Sequence, residues 1–199
     1  MHRFTLLTVS ISALLVAGSA TAQDKPPAMT PEMQAMMEAY QKAGTPGMEH
    51  GRLASMAGTY DLVVKSWYAP GAPPSTDGGT ATRKMILGNR VMLEEVTSQM
   101  MGQPFSGQGL HGFDNVTGKY WGTWNDSMST GLMVSEGTCD AQLSCTYTGT
   151  HNDAVTKKPQ SSRMTTRWTD KNTEVFEMYG PGPDGKETKM MEITYKRRP

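Results

Sequence analysis

The sequence from Gly58 to its end alternates apolar and polar residues, and short clusters of Gly, Pro, Asn and Asp interrupt the alternation at intervals. A period of two is typical of β-strands with one buried face, and the interrupting residues are those that form turns. The pattern predicts about ten strands, at residues 59–68, 79–87, 91–99, 106–113, 119–125, 131–138, 145–149, 163–169, 174–179 and 188–197.

The connections between these predicted strands are short and carry no helical pattern. Parallel neighbours need a crossover of a dozen or more residues, so a parallel sheet is excluded. Sequential antiparallel strands in this number lose their free edges when they close into a barrel. We therefore expect an all-β domain, a single antiparallel up-and-down β-barrel, and a barrel of this size can hold one small ligand.

The first residues, 1–22, have the features of a cleavable signal peptide. Arg3 supplies a positive start, residues 6–17 are apolar, and Ala20-Thr21-Ala22 offers small residues before a cleavage site after Ala22. The apolar run is too short for a stop-transfer helix. We expect a periplasmic or secreted protein that has no stable membrane insertion once the signal is removed.

Residues 23–45 form a segment rich in Pro and Met, which contains one predicted helix. Thr30 can cap the helix, proline follows at its first position, and Gly44 and Pro46 end it. One apolar face combines Met33, Met36, Met37 and Tyr40. This face suits packing on an apolar surface, with a weaker resemblance to methionine-rich copper sites. It suggests that the helix closes one mouth of the barrel domain, residues 46–199.

Charge and cysteine content narrow the function classes. The chain has 19 basic and 19 acidic residues, which gives no electrostatic reason to expect a nucleic-acid partner. Cys139 and Cys145 are close in sequence, and in an oxidising compartment they predict a disulfide that stabilises the fold by about 2–3 kcal/mol. Two thiols with no adjacent histidine make a poor zinc site, so we expect no metal there. We also expect no cofactor.

A series of short blocks, in a fixed order, covers most of the predicted barrel. They are His50-x-x-Leu53, Ala57-Gly58-Thr59-Tyr60-Asp61, Leu87-Gly88-Asn89-Arg90, Met100-Met101-Gly102-Gln103-Pro104-Phe105, Gly112-Phe113-Asp114-Asn115, Gly118-Lys119-Tyr120, Thr123-Trp124-Asn125-Asp126-Ser127, Glu136-Gly137, Phe176-Glu177-Met178-Tyr179, Asp184-Gly185-Lys186-Glu187 and Met191-Glu192-Ile193-x-Tyr195. Together they resemble the bacterial family known as domain of unknown function 1579, placed with the calycins. The resemblance implies a lipocalin-like barrel in a secreted protein and carries over no catalytic residue.

Aromatic residues on two neighbouring strands are the first candidates for a ligand site. Tyr120 and Trp124 share one face of their strand, and Phe113 lies on the strand before it. If this face points inward, the rings can stack on a ligand. Equally, they can simply fill the barrel.

Charged residues within otherwise alternating strands are the second set of candidates. Glu95 shares a face with Val91, and Glu177 shares one with Val175. Together with Arg163 and Arg167, these acids can form a buried polar floor that orients a ligand, because buried charges must be paired. The alternative is that all four side chains point into solvent.

The sequence contains no recognised catalytic motif: Gly-x-Ser-x-Gly, His-Glu-x-x-His and nucleotide-binding loops are absent. Gly107 and Gly109 precede no predicted helix, so they do not form a phosphate loop. His111 stands beside aromatic residues on its strand, and a single histidine can hold haem in some related barrels. The expected function is binding of a small, largely apolar ligand, by a carrier rather than an enzyme. The alternatives are an envelope interaction protein with a filled barrel, and an enzyme or haem-binding barrel that uses His111.

Overall fold

The computed structural model describes residues 29–69, 71–182 and 184–199, so the predicted signal peptide, residues 1–22, lies outside the described residues. Two helices precede the strands in this part of the chain, α1 (Pro31–Gly44) and α2 (Met48–Ser55). The strands are β1 (Gly58–Ser66), β2 (Ser75–Ile86), β3 (Val91–Met100), β4 (Gln103–Asp114), β5 (Lys119–Asp126), β6 (Met133–Cys139), β7 (Cys145–Asn152), β8 (Pro159–Asp170), β9 (Thr173–Pro181) and β10 (Glu187–Arg197).

The ten strands form a closed antiparallel barrel in which each strand pairs with its neighbours in sequence. The barrel closes between the first and last strands, where Leu62 of β1 stands opposite Gly79 of β2 and Tyr195 of β10. The predicted up-and-down barrel is confirmed. Closure leaves none of these strands with an unpaired edge.

Two strands, β2 and β8, each begin four residues earlier than the sequence predicts. β2 starts at Ser75 because Thr76 and Asp77 pair with Lys65 and Val64 of β1. β8 starts at Pro159, which pairs with Asn152 of β7. These extensions are polar and show no alternation, so only pairing with a neighbouring strand identifies them.

The predicted helix is confirmed as α1, and Thr30 Oγ1 accepts a hydrogen bond from Met33 N at 3.3 Å. The packing role predicted for its methionine face is wrong, because α1 has no buried residue and Met36 is 53% exposed. Among the described residues, the hydrogen bonds that tie α1 to the barrel lie at its C-terminal end, where Asn115 Nδ2 donates to the carbonyl oxygens of Ala43 and Thr45 at 3.0 and 2.8 Å.

The second helix, α2, packs against one end of the barrel, where it contacts β2, β3 and β4. This helix is not among the elements that the sequence predicts, yet its residues His50 and Leu53 are buried. Tyr60 donates a hydrogen bond to the Met56 carbonyl oxygen at 2.6 Å, and Arg197 donates to that of Ala57 at 2.7 Å. We call this the closed end of the barrel. The cover is therefore α2 and not α1.

The disulfide and the core complete the fold. Cys139, at the end of β6, is bonded to Cys145, at the start of β7, as predicted. The main apolar cluster lies on the inner faces of four adjacent strands and contains Tyr60, Leu62, Val64, Ala81, Val96 and Tyr195. Among the described residues, neither helix has the length and apolar character needed to cross a bilayer.

Candidate ligand-binding cavity

The barrel contains a cavity of about 390 Å³ that extends from α2 toward the opposite end. Leu53 contributes to its lining at the closed end, and Phe105 and Leu132 contribute near the other end. We call the latter the open end, since Leu132 is 51% exposed. Most of the lining is apolar, with Met, Phe and aliphatic side chains from alternate positions of the strands.

Trp124 and His111 have room to lie along the cavity wall because glycines stand beneath them. A Cβ atom on Gly107 would lie 2.7 Å from Trp124 Cη2, and one on Gly109 would lie 3.1 Å from His111 Nε2. Gly122 leaves similar room, since its Cβ would lie 3.3 Å from His111 Nδ1. Gly107 and Gly109, which do not form a phosphate loop, therefore make the wall thinner and the cavity wider.

A buried ion cluster forms the polar part of the wall near the closed end. Arg83 Nε donates to Glu94 Oε1 at 3.0 Å, and Arg83 Nη1 donates to Glu174 Oε2 at 2.5 Å. The side chains of these three residues are at most 5% exposed. The guanidinium also lies between the rings of Tyr60 and Tyr195, at 5.0 and 4.4 Å from their centroids. These cation–π contacts stabilise the guanidinium charge of Arg83, which is buried away from water.

The charges of this cluster are strongly coupled. Burial alone would raise the pKa of Glu94, but Arg83 and the bond with His111 outweigh it and lower that pKa to about 2. Burial would lower the pKa of Arg83, yet Glu174 and Glu94 hold it well above its ordinary value. Burial raises the pKa of Tyr195 well above 10, so this phenol stays neutral. Glu94 and Arg83 therefore keep their charges through pairing.

His111 links the ion cluster to the cavity. Its Nε2 lies 3.1 Å from Glu94 Oε2, and its side chain is 33% exposed. Its Nδ1 has no hydrogen-bonding partner among the described residues. A histidine ring bonded on one side is fixed in orientation, and its other nitrogen remains available.

Tyr120 and Phe113 connect the wall to α2. The Tyr120 hydroxyl donates a hydrogen bond to Glu49, and burial together with this bond raises the pKa of Tyr120 to about 12. Phe113 packs edge-on against Tyr120 and against His50, with ring centroids 5.0 and 6.0 Å apart. These contacts fix α2 on the closed end, which excludes water from the ion cluster.

Polar groups also line the open end of the cavity. Trp124 Nε1 donates to Asp126 Oδ2 at 3.0 Å, and this bond fixes the indole on the wall. His151 also lines the cavity there, and its buried Nδ1 has no partner among the described residues.

The predicted aromatic and histidine candidates divide into two groups. Trp124, Tyr120 and His111 line the cavity. Phe113 instead supports Tyr120 from the side of α2 and does not contribute to the lining.

The predicted polar floor is wrong, because its four members lie outside the cavity. Glu95 is 48% exposed and pairs with Lys84, whereas Arg163 is 39% exposed and pairs with Glu187. Arg167 is exposed, and Glu177 pairs with Lys189 on the outer surface.

The physical reason is the face that each strand turns inward. The inward residues of β3 include Met92, Glu94 and Val96, so Glu95 points outward. In β9 the inward set is Glu174, Phe176 and Met178, the opposite face from Glu177. Several adjacent residues of β3 are apolar, so its sequence does not show which face of the strand turns inward. The one available signal of a polar site was the presence of charged residues within a strand.

A solved structure of low sequence identity agrees with the fold. The crystal structure of Rv2717c from M. tuberculosis aligns with a TM-score of 0.62 at 12% identity, covering 78% of this chain and all of that one, 100%. A redesigned β-barrel, b11L5F_LGL, aligns with a TM-score of 0.37 at 12% identity, covering 74% of this chain and 95% of that one. No curated protein matches the chain significantly. A family profile described as protein of unknown function (DUF1579) matches residues 45–197, nearly the whole barrel domain, and the chain therefore belongs to the DUF1579 family.

Proposed function

We propose that this protein binds a small, largely apolar molecule inside its barrel, in the periplasm or outside the cell. The observation that carries the proposal is the cavity of about 390 Å³. Ligand sites in proteins are typically concave, mainly apolar and supplied with a few polar groups that fix orientation. This cavity has that composition, with His111 and Asp126 among its polar members.

The cellular location is part of the proposal and rests on two features of the chain. Residues 1–22 have the pattern of a signal peptide, and the Cys139–Cys145 pair is bonded. Disulfides persist mainly in oxidising compartments, so both features favour export. The division into residues 1–22, 23–45 and 46–199 belongs to the same proposal.

The cavity also helps to choose between the alternative functions. A filled barrel that acts only through its surface would leave no room of this size in its interior, which favours the carrier. Haem ligation by His111 through Nε2 would compete with its bond to Glu94. For catalysis, His111 would still need a reacting partner, and the open Nδ1 by itself supports binding more directly.

The first test compares the purified, exported protein with two tryptophan variants. Met178→Trp places extra volume on the cavity wall, whereas Val63→Trp adds the same residue on the outer face of β1, where Val63 is 46% exposed. Native mass spectrometry identifies any co-purified molecule, and fluorescence titration with Nile red, a neutral apolar probe, measures the affinity of the cavity.

We expect Nile red to bind the wild type and the Val63→Trp variant equally and the Met178→Trp variant at least about tenfold more weakly. Equal binding by all three proteins would place the probe elsewhere. No binding to the folded wild type would contradict the proposed function.

A further inference from the structure

The cavity wall carries more negative than positive charge. Among the described residues that line it, Arg83 is the single cation, whereas Glu94, Glu174 and Asp126 are carboxylates. The charge of Arg83 is already taken up by two of these carboxylates. An anionic group that entered the cavity would therefore meet uncompensated negative charge in surroundings where water screens poorly.

His111 offers a polar atom beside the buried cluster. Glu94 occupies Nε2, and Nδ1 has no partner among the described residues. The glycines at 109 and 122 leave the ring flat against the wall, and a third of the side chain is exposed. An imidazole nitrogen in this position accepts a hydrogen bond from a hydroxyl or amine when the ring is neutral.

The geometry points to ligands whose polar end is a hydroxyl or an amine, and we propose that the cavity selects these and rejects carboxylates. This inference rests on the proposed ligand-binding function. The polar end bonds to His111 Nδ1, and the apolar body lies along Trp124, Phe176 and Met178 toward the open end.

The test uses three molecules with the same chain and different ends: n-octanol, n-octylamine and octanoate. Each competes with bound Nile red at about pH 8, above the usual range of histidine protonation. We expect octanol and octylamine to bind at least about tenfold more tightly than octanoate. This comparison needs only the wild-type protein, so it does not depend on the folding of any variant.

Two histidine variants then locate the polar end. His111→Leu removes the acceptor at the closed end, and Arg83 still pairs with Glu94 in this variant. His151→Leu is the matched control, because His151 also lines the cavity but lies at the open end. The advantage of octanol over octanoate should fall at least about threefold in His111→Leu and stay unchanged in His151→Leu.

Three outcomes would overturn the inference. Octanoate that binds as tightly as octanol would refute the charge argument, and loss of the preference in His151→Leu alone would refute the placement at His111. Binding of Nile red without displacement by any of the three would refute selection of this ligand class while leaving the proposed function intact. Failure of Nile red itself to bind would instead refute the proposed function.

Discussion

Arg83→Met should be among the most destabilising single substitutions in this barrel. The change keeps an unbranched side chain but removes the partner of both Glu94 and Glu174, whose side chains are 5% and 1% exposed. Breaking a buried ion pair typically costs about 3–5 kcal/mol, because the remaining charge stays out of water. Here two carboxylates lose their partner and two tyrosine rings lose a cation–π contact. We therefore expect a loss of about 4 kcal/mol or more in the free energy of unfolding.

The neighbouring residue offers a matched control. Lys84→Met removes a cation that is 62% exposed and pairs with Glu95 on the outer surface. Exposed pairs contribute about 0–1 kcal/mol, so this variant should unfold close to the wild type. A combined variant, Arg83→Met with Glu94→Gln and Glu174→Gln, removes all three charges and should recover much of the loss. Urea unfolding followed by circular dichroism measures each value, and equal losses for Arg83→Met and Lys84→Met would refute the reasoning.

Further predictions concern acid, one glycine and the N-terminal segment. The pKa of Glu94 in the folded protein is about 2, below its usual 4.5. Its pairing therefore stabilises the protein by about 3 kcal/mol above pH 4.5, and this contribution is lost as the pH falls toward 2. Urea midpoints that stay constant from pH 5 to about pH 3 would contradict this. Gly107→Ala should cost about 1–3 kcal/mol and shift the tryptophan emission, since the new Cβ meets the Trp124 ring, whereas Gly78→Ala, with its nearest atom at 4.0 Å, should leave the emission unchanged. Deletion of residues 23–45 should change the unfolding free energy by less than about 1 kcal/mol, because α1 has no buried residue; a larger loss would show that this helix packs on the barrel.

The architecture followed from the sequence because alternation and turn residues act locally. The alternation of β7 and the turn residues around Gly118 are visible without any knowledge of neighbouring strands. The segments that the alternation misses are polar extensions such as Thr76 and Asp77, which depend on the pairing of β2 with β1. Likewise, α2 is a helix of 8 residues whose stability comes from Leu53 and its contacts with the barrel rather than from helix propensity.

The site was predicted only in part, because its chemistry depends on which face of each strand turns inward. Trp124 and His111 were found because large aromatic and imidazole side chains are conspicuous. Glu94 was missed in favour of Glu95, since residues 91–93 of β3 are all apolar and give no alternation. The inward face is set by closure of the barrel, which brings Arg83 of β2 beside Glu94 of β3 and Glu174 of β9. A one-residue shift would move every such side chain to the other face.

The position of the ion cluster connects stability with the proposed binding. An apolar triad of the same volume would hold this end of the barrel together equally well, because a buried ion pair gains little over well-packed hydrophobic residues. What an apolar triad could not do is orient His111, whose Nε2 is held by Glu94 at 3.1 Å. Glu94 is held in turn by Arg83, which also pairs with Glu174. The cluster thus presents one fixed hydrogen-bonding atom, His111 Nδ1, to an otherwise largely apolar cavity. If the combined triple variant folds stably but no longer distinguishes octanol from octanoate, the cluster serves ligand selection rather than the fold.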